Sequence, residues 1–548
     1  MHRLGYIYLF LFSSAQSLPV QPQLPNFIFL LSESLDGRLL REDSPAKIPN
    51  LRSLLNSGSV RFDSAYSDSP VCAPARSALH SGRAPHKIRH MHNGFVVNGV
   101  WNNYEGLDAN YTEFLHTLLA NGGYTTSIFG KQDWTVGGHT ETCELASLTF
   151  NVQWPYNISE NKGWNQEDTT CSSFPSLVSG GTNGPEGSVY PNDWHLTSEV
   201  SNFITTAKEP FYAFLGTNIL HPPYATNQYW YNIASEQPLP QFKPLKEMHP
   251  CDLQASMKRG CTPDINTSTA FFNSTRIAKL RRVYLAELEE LDAMIGQLIT
   301  SLKNSNRWNN NTFFILGSDH GDMQLLHQMF YKMVPYDASA RIPIVFASPS
   351  LSGLGSQVVH QPVTLIDIFP TVLSMAQIPV PSFADGYDLS SFFSLSNTTP
   401  SRPGFVSFQN HDEDLSMSWF AVTNGTFKLV QYGTGKEVPP MLFDLINDPN
   451  EQENLASNYP EDVALLDTAL KSQIDYPSVA EDVAAYQLQQ FKYWVNNTLD
   501  WEKEIQSNNI RWSSAFAAHK QEAFEALNTY LKQESAKIIA CDGRLTNL

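Results

Sequence analysis

Residues 26–32, Asn-Phe-Ile-Phe-Leu-Leu-Ser, run apolar without a polar break from Phe27 to Leu31. A strand with one wet face alternates, so an unbroken run predicts a strand covered on both faces, as in a parallel sheet between helices. Runs of the same kind recur at 124–130, 210–217, 312–318 and 342–348. Between them, residues 50–57, 112–121 and above all 275–304 repeat apolar positions at helical spacing. Strand and helix in alternation predict an α/β domain, whose chemistry gathers at the carboxyl ends of the strands. Residues 141–195 and 225–270 show no clear period and are rich in Asn, Gly, Pro and Ser. They read as long surface insertions over that face.

The pattern changes near 385–400, where Ser391 to Ser401 forms a polar, Pro-containing linker. Beyond it, Trp419–Thr423, the turn pair Asn424-Gly425, and Thr426–Gln431 predict a β-hairpin. Helical patterns follow at about 460–474, 479–496 and 513–535. The expected layout is a large α/β unit over residues 18–390 and a smaller α+β unit with a helical tail over 400–548.

Composition narrows the class. With 42% hydrophobic and 12% aromatic residues among 548, the chain has material for a large core, which excludes general disorder and coiled-coil architectures. A net charge of −18 argues against nonspecific nucleic-acid binding. Protonating the 15 histidines would cancel most of that charge, so an acidic compartment would ease the approach of an anionic substrate.

Met1-His2-Arg3, the apolar run Leu4–Phe12 and the small residues Ser14-Ala15-Gln16-Ser17 read as a signal peptide over residues 1–17. No later run reaches the roughly 20 residues a membrane span needs, so none is expected. The expected route is secretory, ending in the lysosome or outside the cell. Sequons at Asn110, Asn157, Asn266, Asn273, Asn310, Asn397, Asn424 and Asn496 agree with that route. Cys251 and Cys261 close a short loop and form the favoured disulfide, with Cys143 and Cys171 as a second candidate pair.

The sharpest local feature is Cys72-Ala73-Pro74-Ala75-Arg76-Ser77-Ala78-Leu79-His80-Ser81-Gly82-Arg83. Pro74 suits the first turn of a helix, which sets Cys72 at a helix N-terminus, where negative charge is favoured. A buried or disulfide-bonded cysteine beside an ordinary helix fits the same residues. A second feature is Ile315-Leu316-Gly317-Ser318-Asp319-His320-Gly321-Asp322, a carboxylate and an imidazole at a strand's carboxyl end. On its own, that placement serves a helix cap as well as a metal site.

Cys-x-Pro-x-Arg followed by Ala-Leu-x-Ser-Gly-Arg resembles the sulfatase signature. The resemblance implies an alkaline-phosphatase-like fold with a large mixed sheet flanked by helices. It implies that a formylglycine-generating enzyme oxidises Cys72 to formylglycine, and that one calcium ion is held by Glu33, Asp319, His320 and residue 72. Most members of the family end the first strand with two Asp residues; here Glu33 and Ser34 stand in those places. The extra methylene of Glu moves the carboxylate by about an ångström. Asp36 is either a helper ligand or a turn residue before Gly37.

By the same resemblance Arg76, Lys131 and His221 are catalytic, with Lys131, His249 and Lys332 on the substrate. Lys131 lies in Gly130-Lys131-Gln132-Asp133, where Asp133 replaces the family's His. His139, six residues on, is either its replacement in the catalytic set or a loop residue. Leu442-Phe443-Asp444-Leu445 through Asn454-Leu455 also resembles a C-terminal stretch of the family. Ser34-Leu35-Asp36-Gly37-Arg38, Trp101 to Asp108, Glu247-Met248-His249-Pro250 and Phe330-Tyr331-Lys332-Met333 resemble one lysosomal branch, which removes 2-O-sulfate from glucuronate in glycosaminoglycans.

The expected function is therefore hydrolysis of a sulfated glycan or aryl sulfate. Two rivals remain at this point. A phosphomonoesterase or phosphodiesterase of the same superfamily would carry Ser or Thr at position 72. A non-enzymatic, glycan-binding relative draws its support from Glu33.

Overall fold

The computed structural model describes residues 23–89, 107, 111–134, 146–148, 175–222, 224–244, 247–252, 255, 274–329, 331–394, 404–411, 417–483 and 485–486. The signal peptide, His139, Cys143, Cys171, Cys261 and the last predicted helix lie outside them. So do six sequons, with Asn310 and Asn424 the described pair.

An eight-stranded sheet forms the centre. Its strands run in the order Ser356–Val359, Ser59–Phe62, Ile344–Ala347, Thr312–Ser318, Asn26–Ser32, Phe211–Gly216, Thr125–Gly130 and Ala146–Leu148. All five apolar runs are therefore strands. The run at 342–348 departs from the parallel expectation: Ile344–Ala347 is antiparallel to both its neighbours, so the sheet is mixed. A run buried on both faces reports burial and carries no information about strand direction.

The middle strand shows the layering. Ile28 and Leu30 point into a core shared with the helices Pro49–Asn56, Pro191–Thr206 and Ser274–Asn304. Phe27, Phe29 and Leu31 point into the opposite core, with residues of the helices Cys72–Ser81, Leu115–Asn121 and Ile368–Met375. The period-2 geometry of a strand divides one apolar run between two helix layers.

Two supposed surface insertions contain buried elements. The 16-residue helix Pro191–Thr206 begins inside the first, and buries Trp194, Leu196, Val200 and Ile204. The second contains the strand Ala225–Asn227, wholly buried, and the helix Gln228–Ile233.

A second sheet follows, antiparallel, in the order Val406–Asn410, Trp419–Thr423, Phe427–Tyr432 and Met441–Asp444. The predicted hairpin is there, with Gly425 at φ 87° in its turn, a conformation glycine adopts without strain. One face of this sheet (Phe420, Val422, Leu429, Leu442) packs on Leu466 and Leu470 of the helix Pro460–Gln473. The other (Phe408, Trp419, Val430, Phe443) packs on Met323, Met329, Val334 and Tyr336 of the segment after Thr312–Ser318. No helix among the described residues is long and apolar enough to cross a membrane.

Candidate active site

Four parallel strands end at the same edge of the large sheet, and each is followed by a polar residue of the site. Asn26–Ser32 leads to Glu33, Thr125–Gly130 to Lys131, Phe211–Gly216 to His221, and Thr312–Ser318 to Asp319 and His320. The edge is built for close approach. A Cβ on Gly216 would lie 2.1 Å from the Lys131 carbonyl oxygen and 3.0 Å from Arg76 Nη1. Glycine there lets the Lys131 backbone and the guanidinium pack against one strand end.

Cys72 is the first residue of its helix, and Arg76 follows one turn later on the same side. The guanidinium is fully buried and clamps three strand ends together. Its Nε donates to Asp319 Oδ2 at 2.8 Å, Nη2 to Glu33 Oε2 at 2.9 Å, and Nη1 to the Lys131 carbonyl at 3.0 Å. Lys131 Nζ reaches Glu33 Oε2 at 2.8 Å and Asp133 Oδ2 at 3.4 Å. Lys332 Nζ lies 2.8 Å from His320 Nε2 and 3.5 Å from Glu33 Oε1, and donates a short bond to Cys72 Sγ.

Glu33, Cys72, Asp319 and His320 present one ligand atom each, all within 4.8 Å of one another and all buried. Cys72 Sγ is 3.0 Å from Glu33 Oε1 and 3.5 Å from His320 Nε2. His320 Nδ1 faces the Gly321 carbonyl at 2.9 Å, so Nδ1 carries a proton and Nε2 is the atom turned to the cluster; burial pushes the ring's pKa down, but Asp319 outweighs it and raises it to about 9. Asp319 is held by the backbone N–H groups of Ser34 and His320 on Oδ1. Two carboxylates, an imidazole nitrogen and residue 72 form a donor set that fits a divalent cation, which would take the place of a proton on that nitrogen. Asp36 is a turn residue: its carboxylate accepts the Arg38 backbone N–H at 2.9 Å and pairs with the Arg38 guanidinium.

The charge balance favours anions. Burial pushes the Glu33 carboxyl up, but Lys131 and Lys332 outweigh it and hold the pKa well below the usual range. Burial and Glu33 push the Cys72 thiol up; Lys131 and Lys332 overcome both and bring it to about 6. Negative charge on an atom attached to residue 72 is therefore stabilised where it stands.

His221 goes the other way. Burial, then Lys332 beside it, push its imidazole well below the usual value, so the buried ring is disfavoured as a cation. Its loop is tightly held. Asp193 accepts the Asn218 and Ile219 backbone N–H groups at 3.0 and 2.7 Å, and Glu287 accepts that of Ala225 at 2.6 Å.

The structure thus brings together Glu33, Cys72, Arg76, Lys131, His221, Asp319, His320 and Lys332. His249 stacks on Tyr432 with ring centroids 5.0 Å apart, and its Nε2 faces the Pro439 carbonyl at 3.0 Å. None of these contacts is with the cluster. His327, a further neighbour of Lys332 in sequence, stacks on Tyr336 instead. Sequence reasoning missed two members. Tyr331, quoted above only for kinship, places its hydroxyl 2.5 Å from His221 Nε2. Trp419 donates its indole N–H to the Met333 carbonyl at 3.1 Å, beside Lys332. Both bonds span long stretches of chain, and no local pattern signals them.

A nucleophile position at a helix N-terminus, ringed by fixed cations and metal donors at the strand ends, defines a hydrolase of anionic esters. The comparisons specify the ester. The sulfatase family model matches residues 25–378, and the C-terminal model of N-sulphoglucosamine sulphohydrolase matches residues 326–477. Arylsulfatase K of Xenopus laevis is 31% identical, with 89% of this chain and 90% of that protein covered. Arylsulfatase K of Homo sapiens is 30% identical, with 93% of each covered. Among solved structures, the phosphonate monoester hydrolase of Agrobacterium radiobacter superposes with a TM-score of 0.65 at 19% identity, over 82% of this chain and 95% of that one. A 2-O GAG sulfatase superposes with a TM-score of 0.59 at 19% identity, over 84% and 93%. The chain belongs to the sulfatase family and is a sulfuric ester hydrolase, similar to arylsulfatase K.

Proposed function

We propose that this enzyme removes 2-O-sulfate from a uronate of glycosaminoglycans, with formylglycine made from Cys72 and one calcium ion as its working groups. The observation that carries the reading is the seat of residue 72, at a helix N-terminus, bonded by Lys332 and beside Glu33, which Lys131 and Arg76 hold. As a hydrated aldehyde, residue 72 supplies one hydroxyl to attack sulfur and a second whose deprotonation expels sulfate. Glu33, Asp319, His320 and residue 72 would hold calcium, which polarises sulfate oxygens. Lys131 and Lys332 bind the remaining sulfate oxygens, and Arg76 fixes the two carboxylates so that neither rotates away. His221 stands at the leaving-alcohol side. His249 binds substrate in this reading, and His139, outside the described residues, is a candidate for the catalytic set.

Work in an acidic compartment, reached through the secretory pathway, is part of the proposal. Its support is the overall charge of −18, which histidine protonation reduces. Burial and Lys332 keep His221 out of that titration.

The test has two arms. Mature protein made with the formylglycine-generating enzyme should react with an aldehyde probe, and Cys72→Ala should not. Sulfate release is then measured from 2-sulfoglucuronate, 2-sulfoiduronate and 6-sulfoglucosamine oligosaccharides between about pH 4 and 8, with chelator and with added calcium. Preference for the amino sugar rejects the uronate reading, and activity that survives chelation rejects the metal.

A further inference from the structure

The segment that carries Lys332 concentrates backbone strain. Among the described residues thirteen other than glycine have positive φ, and six of them lie between Gln324 and Met333. Tyr331, at φ 78°, and Met333, at φ 74°, flank Lys332 in the left-handed region that bulky residues avoid. If either relaxed to negative φ, the side chain between them would change direction. Left-handed residues persist where surrounding contacts over-determine them. What holds these two therefore decides where the Lys332 ammonium points.

The turn is held from three directions. From within the segment, the Met323 N–H donates to the Tyr331 carbonyl at 2.7 Å. Toward the nucleophile, the Met333 N–H donates at 3.3 Å to the carbonyl of Pro70, two residues before Cys72. From the second sheet, the indole N–H of Trp419 donates to the Met333 carbonyl at 3.1 Å. The next strand of that sheet repeats the grip two residues further on, where Lys428 Nζ donates to the Pro335 carbonyl at 2.8 Å. Trp419 is buried, and its ring stands edge-on to Phe408 with centroids 5.9 Å apart, which fixes the direction of its N–H. The ammonium that results bonds Cys72 Sγ and lies 2.8 Å from His320 Nε2. A long flexible stem separates it from the backbone, so a small rotation of the turn is enough to move it out of reach.

We propose that Trp419 is a positioning residue for Lys332: by holding the Met333 carbonyl it keeps the left-handed turn that sets the ammonium against residue 72. The proposal rests on the reading that Lys332 binds a sulfate oxygen, and deepens it by extending the working site into the second sheet. Trp419 acts through Lys332 and not on the ester.

The test is a double-mutant cycle on the full chain, made with the formylglycine-generating enzyme. Trp419→Phe keeps a ring against Phe408 and removes the N–H. It is compared with wild type, Lys332→Ala and the double variant, with a small aryl sulfate as substrate and inorganic sulfate as competing inhibitor. The inhibition constant does not depend on the folded fraction of a preparation, so it stays informative if a variant is less stable. Trp419→Phe should weaken inhibition by sulfate about tenfold in the wild-type background and less than about twofold where Lys332 is already replaced. A tryptophan that only supports the fold would give the same loss in both backgrounds. When Lys332→Ala itself weakens sulfate binding, equal losses in the two backgrounds, or no loss in wild type, would overturn the role of Trp419 and leave the reading of Lys332 standing. Sulfate that inhibits Lys332→Ala as well as wild type, or that does not inhibit wild type, would overturn both.

Discussion

Two sets of buried carboxyls lie behind the same sheet edge and behave oppositely. Glu33 is fully buried, yet its pKa is pulled well below the usual range, because Lys131, Lys332 and Arg76 surround it. Glu287 and Glu290, one turn apart on the helix Ser274–Asn304, are as deeply buried and are pushed up, Glu290 to about 7. Their bonds come from neutral donors: Tyr190 and the Ala225 N–H for Glu287, Ser188 and Trp194 for Glu290. The other oxygen of each has no hydrogen-bond partner among the described residues. Burial raises a carboxyl pKa in both places; at Glu33 several cations together outweigh it, whereas at Asp319 the one guanidinium at 2.8 Å does not. Glu33 is charged and stands in the strand-end cluster. The second is kept neutral and holds the framework, since Glu287 ties down the loop that carries His221.

The sharpest way to break the comparison is Glu33→Gln. It removes the charge that three buried cations share, so activity should fall by about 10³-fold and stability by about 3–5 kcal/mol. Sulfate release and denaturant melts measure both; a variant as stable as wild type would mean the cations do not depend on Glu33. Glu33→Asp keeps the charge and shortens its reach. It should fold like wild type and separate the need for charge from the need for length, read from calcium affinity and kcat.

Glu290→Gln probes the other set. A carboxyl whose pKa is higher folded than unfolded contributes fully below its unfolded value, near 4.5, and loses that contribution as pH rises toward about 7. Wild type should therefore lose stability across this window, and Glu290→Gln should flatten the loss by about 2 kcal/mol. Melting temperatures at both ends of the window decide it; an unchanged slope would show that Glu290 is ionised in the fold. The smallest effect is expected far from both sets. Lys471→Ala breaks an exposed i,i+4 pair with Asp467 and should cost about 0.5 kcal/mol or less in a thermal melt.

The helix Pro191–Thr206 shows where sequence patterning stops. Its inward positions include Asp193 and Thr197, which break the apolar stripe that identifies a helix. Asp193 faces inward because it caps the backbone ahead of His221. The functional need erased the local signal. The five sheet strands were legible for the opposite reason, since a strand covered on both faces has no polar position to place. Cys72, Arg76, Asp319 and Lys131 could be read from motifs at strand and helix ends. Tyr331 could not: its partner is 110 residues away, and only the fold sets the two together.

The C-terminal sheet holds the backbone beside Lys332 through Trp419 and packs against Met323 and Met329 on the way to it. The C-terminal family model begins at residue 326, so it takes in that lysine as well as the sheet. The sulfatase model, over residues 25–378, takes it in too, so Lys332 lies where the two matches overlap, at the seam between the two sheets. Exchange of segments between sulfatases would keep a working lysine only when the junction falls before this stretch. A join made after Lys332, at the apparent border between the two sheets, would pair the lysine of one parent with the clamp of another.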